Sequence, residues 1–111
     1  MQNSFVIDEF NNYIIIMNYI RFEWDENKNS SNIKKHGISF EEAKTVFYDE
    51  NARLISDPDH SIEEERFIIL GMSLNLKILI VVHTYKEKDE LIRIISARKA
   101  TKNESKIYYR Y

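Results

Sequence analysis

A chain of 111 residues with 31% charged residues, one proline, two glycines and no cysteine fits one ordinary domain with its own core. It excludes a disulfide framework, a thiolate nucleophile and a cysteine-based zinc site, and it fits a reducing cytosol. The formal net charge of −2 argues against a generally basic nucleic-acid binder.

Met1 to Met17 is apolar at Phe5, Val6, Ile7, Phe10 and Tyr13 to Ile16, with Asp8 and Glu9 between. It has no basic n-region and no small-residue cleavage site, so it is not a secretory signal. It is also too short and too acidic to span a bilayer. It reads as an extra strand or short helix docked on the domain, or as a translated leader. The second reading is preferred, with residues 1–16 an N-terminal extension and 17–111 the domain.

Ile20 to Trp24 alternates apolar and charged residues, the period of a half-exposed strand. Asp25 offers an N-cap to a short polar helix, Glu26 to His36, stopped at Gly37. Its apolar face is little more than Ile33, which predicts a surface helix. Ser39 and Glu42 have capping-box spacing, with Ile38 and Ala43 placed as a hydrophobic staple. Phe40, Ala43, Val46 and Phe47 then give that second helix a core-facing side. Ala52 to Ser56 is a short strand ending in the turn Asp57-Pro58-Asp59-His60. Arg66 to Met72 and Lys77 to Tyr85 are apolar strands joined by Ser73-Leu74-Asn75-Leu76 as a hairpin loop. After the charged loop Lys86 to Glu90, Leu91 to Ala100 reads as a strand buried on both faces. Thr101-Lys102-Asn103-Glu104 is a capping box for a last helix from Lys102 to Tyr111, with Ile107, Tyr108 and Tyr111 on one side. The predicted class is α+β: a small, mainly antiparallel sheet with two N-terminal helices and a C-terminal helix, all on one face.

The last strand carries the sharpest functional signal. A buried guanidinium at Arg93 needs a carboxylate, an opening to water or an anionic ligand. Arg98 and Lys99 then lead to a helix N-terminus, a suitable place for phosphate. The charge distribution agrees: Leu91 to Tyr111 holds six basic side chains against Glu104 alone, whereas Glu41 to Glu65 holds nine acidic and two basic ones. Such opposed stretches imply either internal pairing or a basic binding face with an acidic back. Cleaving RNA through its own 2′-hydroxyl requires a base, an acid and cations for the charge built on phosphorus. Arg66, Arg93 and Arg98 could supply the cations, since guanidinium matches phosphate bidentately. Lys99 and Lys102 could track the backbone, and Trp24 and the tyrosines could stack bases.

The histidines are weaker signals. His36 suits a helix C-terminus as a cap. His60 with Asp57 and Asp59 has the makings of a cation site but reads better as turn chemistry, so no metal is assigned. His83, inside a strand one hairpin before Arg93, is either a satisfied core residue or a group that shares a ligand with Arg93.

Several strings occur jointly: Phe22-Glu23-Trp24-Asp25, Lys28, Asn32, Lys35-His36-Gly37, Phe40-Glu41-Glu42-Ala43, Glu64-Glu65-Arg66 before a strand closing on Gly71, Val82-His83-Thr84, and Arg93 to Ala100. Together they resemble the BrnT family, toxins of bacterial type II toxin–antitoxin pairs, over about Ile20 to Tyr109. The resemblance implies a RelE-like fold and a metal-independent, cofactor-free endoribonuclease of the cytoplasm that inhibits translation. It implies a BrnA-like ribbon-helix-helix antitoxin that neutralises the toxin and carries the contact with operator DNA. On matching positions it implies Arg66, Arg93, Arg98 and His83 as catalytic candidates and Trp24, Lys28, Lys99 and Lys102 as RNA contacts. The leader and the acidic stretch depart from the family pattern. A non-catalytic RNA- or protein-binding module, or a structural core with Arg93 paired internally, would explain the same basic strand. RNA turnover separates the first of these from a nuclease.

Overall fold

The computed structural model describes residues 3–7, 13–17, 20–56, 65–88 and 90–110. The turn at Asp57 to His60, with its candidate cation site, lies outside them, as does Tyr111. Near the N-terminus, β1 (Asn3–Ile7) and β2 (Tyr13–Met17) pair antiparallel as a separate two-stranded sheet, Asn3 opposite Met17.

The main sheet has five strands in the order β3 (Arg21–Glu23), β7 (Leu91–Lys99), β6 (Ile78–Lys86), β5 (Phe67–Met72) and β4 (Arg53–Ser56). From β4 to β7 each strand pairs antiparallel with the next, as consecutive short connections require. The short β3 instead pairs parallel to the start of β7, so the sheet is mixed.

Helix α1 (Glu26–His36) starts where Asp25 accepts hydrogen bonds from the backbone N–H groups of Asn27 and Lys28. It ends at Gly37, whose φ of 73° is the left-handed conformation that glycine takes without penalty. Its docked side is polar, which periodicity alone does not suggest. Asn29 and Asn32 are buried while Ile33 is exposed. The Asn32 amide donates to the carbonyls of Ile38 (2.8 Å) and Ala97 (2.7 Å) and accepts from the N–H of Ala97 (3.1 Å). Because β3 covers only Leu91 to Arg93, Ala97 would otherwise present unpaired backbone at the edge of β7. Asn32 acts there as one residue of a missing strand. Asn29 likewise accepts from the N–H of Phe40 (2.8 Å), tying α1 to the next helix.

That helix, α2 (Phe40–Lys44), tightens at once into a 3-10 turn, Thr45–Tyr48. The Thr45 hydroxyl donates to the Glu42 carbonyl at 2.6 Å, a local competitor to helical hydrogen bonding. The Ser39 capping box is half-formed: Ser39 accepts from the N–H of Glu42, but the Glu42 carboxylate instead accepts from the Ser73 hydroxyl at 2.7 Å. Phe40, Ala43 and Val46 do face the core, with Ile38, Ile69, Leu79, Val81, Ile92, Ile94 and Ala97. At Gly71 an added Cβ would stand 3.0 Å from that of Ala52 and 3.3 Å from that of Val46, so glycine lets the 3-10 turn lie close on the sheet.

The expectation of helices on one face needs correction. Leu70 and Ile80 point away from that core and are covered by Tyr108 of α3 (Lys102–Tyr109), with Ile68, Met72 and Ile78 beside them. Strands β5 and β6 are apolar on both faces, so the second face also requires a cover. β7 is not buried on both faces either. Ile92, Ile94 and Ala97 are buried, while Arg93, Ser96 and Arg98 are partly exposed.

Candidate functional site

Among the described residues helix α3 covers only part of its sheet face, and the basic residues gather around the remainder. Across the strands the register places Glu23 beside Arg93, and Arg93 beside Thr84. Phe67 lies opposite His83, so the register carried one residue further puts Arg66 opposite Thr84. The Thr84 hydroxyl fixes this end of the strand by donating to the Glu65 carbonyl at 2.8 Å. The result is a transverse row, Glu23–Arg93–Thr84–Arg66, with side chains on one face. Two strand spacings put the Arg93 and Arg66 backbones about 10 Å apart. Below this row lie Ser96, Val82 and Ile68, all partly exposed. Next come Arg98, Ile80, Leu70 and Arg53, where α3 begins to cover the sheet.

A β-bulge assembles this face. Up to Val82 and Ser96 the β6–β7 pairing keeps one register; it then shifts by one residue, so that His83 meets Ile94 and Thr84 meets Arg93. Continued unshifted, the first register would put Arg93 opposite Tyr85, on the same face as His83. The extra residue on β7 therefore turns Arg93 onto the face of Arg98, the re-aiming that bulges perform beside active sites.

His83 consequently does not share a ligand site with Arg93. Its side chain is fully buried on the opposite face, edge-on to Phe47 (centroids 4.8 Å apart) and Tyr85 (5.1 Å). Nδ1–H donates to the Val81 carbonyl and Nε2 accepts from the Tyr85 hydroxyl, each at 3.2 Å. A carbonyl can only accept, and this fixes the tautomer. Burial pushes the imidazole pKa down to about 4, against a smaller opposing effect of the Val81 carbonyl. His83 is thus a neutral core residue at pH 7.

The two β7 arginines meet carboxylates. Arg93 Nη1 donates to Glu23 at 2.9 Å, with both side chains about one-third exposed (31% and 36%). Arg98 grips Glu104 with two parallel hydrogen bonds of 2.8 and 3.0 Å. The Glu104 carboxylate also accepts from the Thr101 N–H, completing the α3 capping box. The Arg98 hydrogen bond holds the Glu104 carboxyl down at about 2 despite partial burial, and it raises Arg98. The expected anion place at the α3 N-terminus is therefore filled by the protein's own carboxylate. The opposed charged stretches do not neutralise each other through these pairs, because neither Glu23 nor Glu104 belongs to the acidic stretch. Asp49 does reach across to α3: it accepts from the Tyr108 hydroxyl at 2.6 Å and from the N–H of Met72 at 2.8 Å. Burial and the Asp49 contact push Tyr108 up to about 12.

The remaining candidates sit around the edges. Trp24 follows β3 on the helix side, donating to Glu26 at 3.0 Å and packing edge-on to Phe40. Lys28 is exposed on α1, Lys99 at the end of β7 and Lys102 on the first turn of α3. The pairing of Glu23 with Arg93 was not expected from the sequence. It depends on the parallel pairing of β3, for which the sequence carries no local signal.

Among the described residues no cluster of three or more His, Asp or Glu side chains is arranged to hold a metal ion. No helix among them is long and apolar enough to cross a membrane.

Residues 24–104 match the family model described as ribonuclease toxin, BrnT, of type II toxin–antitoxin system. The structure resembles the crystal structure of the Brucella abortus ribonuclease toxin, BrnT, with a TM-score of 0.57 and 25% identity over 75% of this chain and 99% of that one. No match was found among curated proteins. The chain belongs to the BrnT family: it is a ribonuclease toxin of a type II toxin–antitoxin system, with RNA as substrate and an antitoxin as partner.

Proposed function

We propose that the toxin is an endoribonuclease that cuts RNA on the uncovered sheet face, with Arg93 and Arg66 holding the scissile phosphate. The observation that carries this is the row Glu23–Arg93–Thr84–Arg66, two half-buried guanidinium groups on a face that the described residues cover only in part, beside a helix. Fixed cations near phosphorus stabilise the charge that builds there as the 2′-oxygen attacks, and this needs no metal ion. Arg98, gripped by Glu104, shapes the α3 end of the face and serves as a further cation where phosphate displaces that carboxylate. Lys99 and Lys102 continue the positive track past α3, and Lys28 lies exposed beyond the β3 end, while Trp24 packs on the helix side of the sheet, away from this face. His83 supports the sheet from behind.

The family supports the remaining parts of this reading. The fold is RelE-like, the enzyme acts in the cytoplasm and cleavage inhibits translation. The antitoxin is a BrnA-like ribbon-helix-helix protein that neutralises the enzyme and carries the contacts with operator DNA, in keeping with this chain's net charge of −2. Residues 1–17, with the β1–β2 pair that closes on Met17, are an extension to the toxin domain that follows.

Expression of the full chain in bacteria, with and without the adjacent gene, followed by mapping of RNA 5′ ends, tests the reading. Growth arrest with new 5′ ends, both suppressed by the neighbour, is expected. Arrest with intact RNA would contradict it.

A further inference from the structure

We infer that Glu23 is the general base of RNA cleavage, taking the proton from the attacking 2′-hydroxyl; this rests on the reading of the open face as the cleavage site. Three observations converge on it. First, His83 cannot serve, because it is fully buried on the opposite face behind Phe47 and Phe67. Second, Glu23 is the carboxylate that the β3–β7 pairing sets beside Arg93, with 36% of its side chain exposed. Among the described residues the charged groups around this end of the face include Arg93 on β7, Arg66 before β5, Lys86 on β6, and Arg21, paired with Glu87. Glu104 at the far end is engaged by Arg98 and the Thr101 N–H.

Third, the contact geometry suits the reaction. Among the described residues Arg93 reaches Glu23 through Nη1 alone, at 2.9 Å. The other edge of its guanidinium, Nε and Nη2, presents the parallel donors that match a phosphate. A phosphate bound on that edge has its adjoining ribose 2′-oxygen near the Nη1 side, within reach of the carboxylate. Glu23 then accepts the 2′-hydroxyl proton as the bond from O2′ to phosphorus forms and the bond from phosphorus to O5′ breaks. The leaving O5′ takes a proton from solvent, and Glu23 returns its own to solvent afterwards. The products are a 2′,3′-cyclic phosphate and a 5′-hydroxyl, with no net proton consumed.

The decisive variant is Glu23→Gln, because its amide oxygen still accepts from Arg93 Nη1 but cannot act as a base. Single-turnover cleavage of a short RNA by the full chain is measured at pH 7.5, and binding is measured with a 2′-O-methyl RNA. The expected result is a loss of about 10²- to 10⁴-fold in cleavage rate. Affinity for the 2′-O-methyl RNA should stay within about threefold of wild type, and Glu23→Asp, which keeps a carboxylate, should recover part of the lost rate. A Glu23→Gln protein that cleaves within about fivefold of wild type overturns the assignment while leaving the cleavage site standing. A wild-type protein that cuts no RNA overturns both.

Discussion

Replacing His83 by phenylalanine separates its structural place from any catalytic one. The imidazole sits in a cage of Phe47, Phe67 and Tyr85 with no exposed surface, and its folded-state pKa is about 4 against an ordinary 6.5. The unfolded chain therefore binds a proton between pH 6.5 and 4 that the folded chain refuses. Stability from this group is complete above 6.5, falls as pH drops through that window and is fully lost below 4. At 1.36 kcal/mol per pH unit the gap amounts to about 3 kcal/mol. Phenylalanine fills the same ring-shaped space without titrating, at the loss of two long hydrogen bonds, so stability at pH 7.5 should change by no more than about 1–2 kcal/mol. Urea unfolding of both proteins at pH 7.5, 6, 5 and 4 gives the difference curve. It should rise in favour of the variant by about 3 kcal/mol from the first pH to the last. Ribonuclease activity at pH 7.5 should persist. Parallel curves would refute the burial of a neutral imidazole, and loss of activity in a folded variant would return His83 to the reaction.

Three further outcomes follow from the packing. Asn32→Ala leaves the N–H and carbonyl of Ala97 without their partner and should cost about 3 kcal/mol in chemical denaturation, although the residue lies on a helix with almost no apolar face. Glu104→Gln should lower stability at pH 7 by about 1 kcal/mol, a figure kept small because the Arg98 side chain is 40% exposed. Glu104 is depressed from 4.5 to about 2, so its contribution is present above 4.5 and lost as pH falls towards 2; acid titration followed by circular dichroism should show that component missing in the variant. Tyr108 is raised from 10 to about 12, so its contribution holds below pH 10 and disappears as pH rises through 12. Tyr108→Phe should flatten that alkaline loss in thermal melts.

The elements were legible because each carries its own local signal. The caps at Asp25, Ser39 and Thr101, the stop at Gly37 and the Ser73 to Leu76 loop all stand where the residues announce them. What was hidden depends on distant partners. α1 docks through Asn29 and Asn32, and no scan of apolar spacing registers an amide that completes a strand edge. The apolar stretches of β5 and β6 were visible, but not that α3 would cross to their second face. Which of the two readings of His83 holds, core residue or neighbour of Arg93 around one ligand, turns on a single bulge between Val82 and His83. Strand alternation is strict, so one extra residue on β7 exchanges the faces of everything beyond it. The arginines themselves were legible as site candidates by charge. Glu23 was not, since a lone glutamate in a three-residue edge strand looks like surface until its parallel partner is known.

The most direct test of the account is single-turnover RNA cleavage by purified full-length protein carrying Arg66→Ala and Arg93→Ala together, with a melting curve recorded on the same sample. Cleavage should fall by at least about 10³-fold, as expected for removing donors aimed at developing charge, with the fold still melting cooperatively. A folded double variant that cuts RNA at the wild-type rate would show that the open sheet face is not where the phosphate is held.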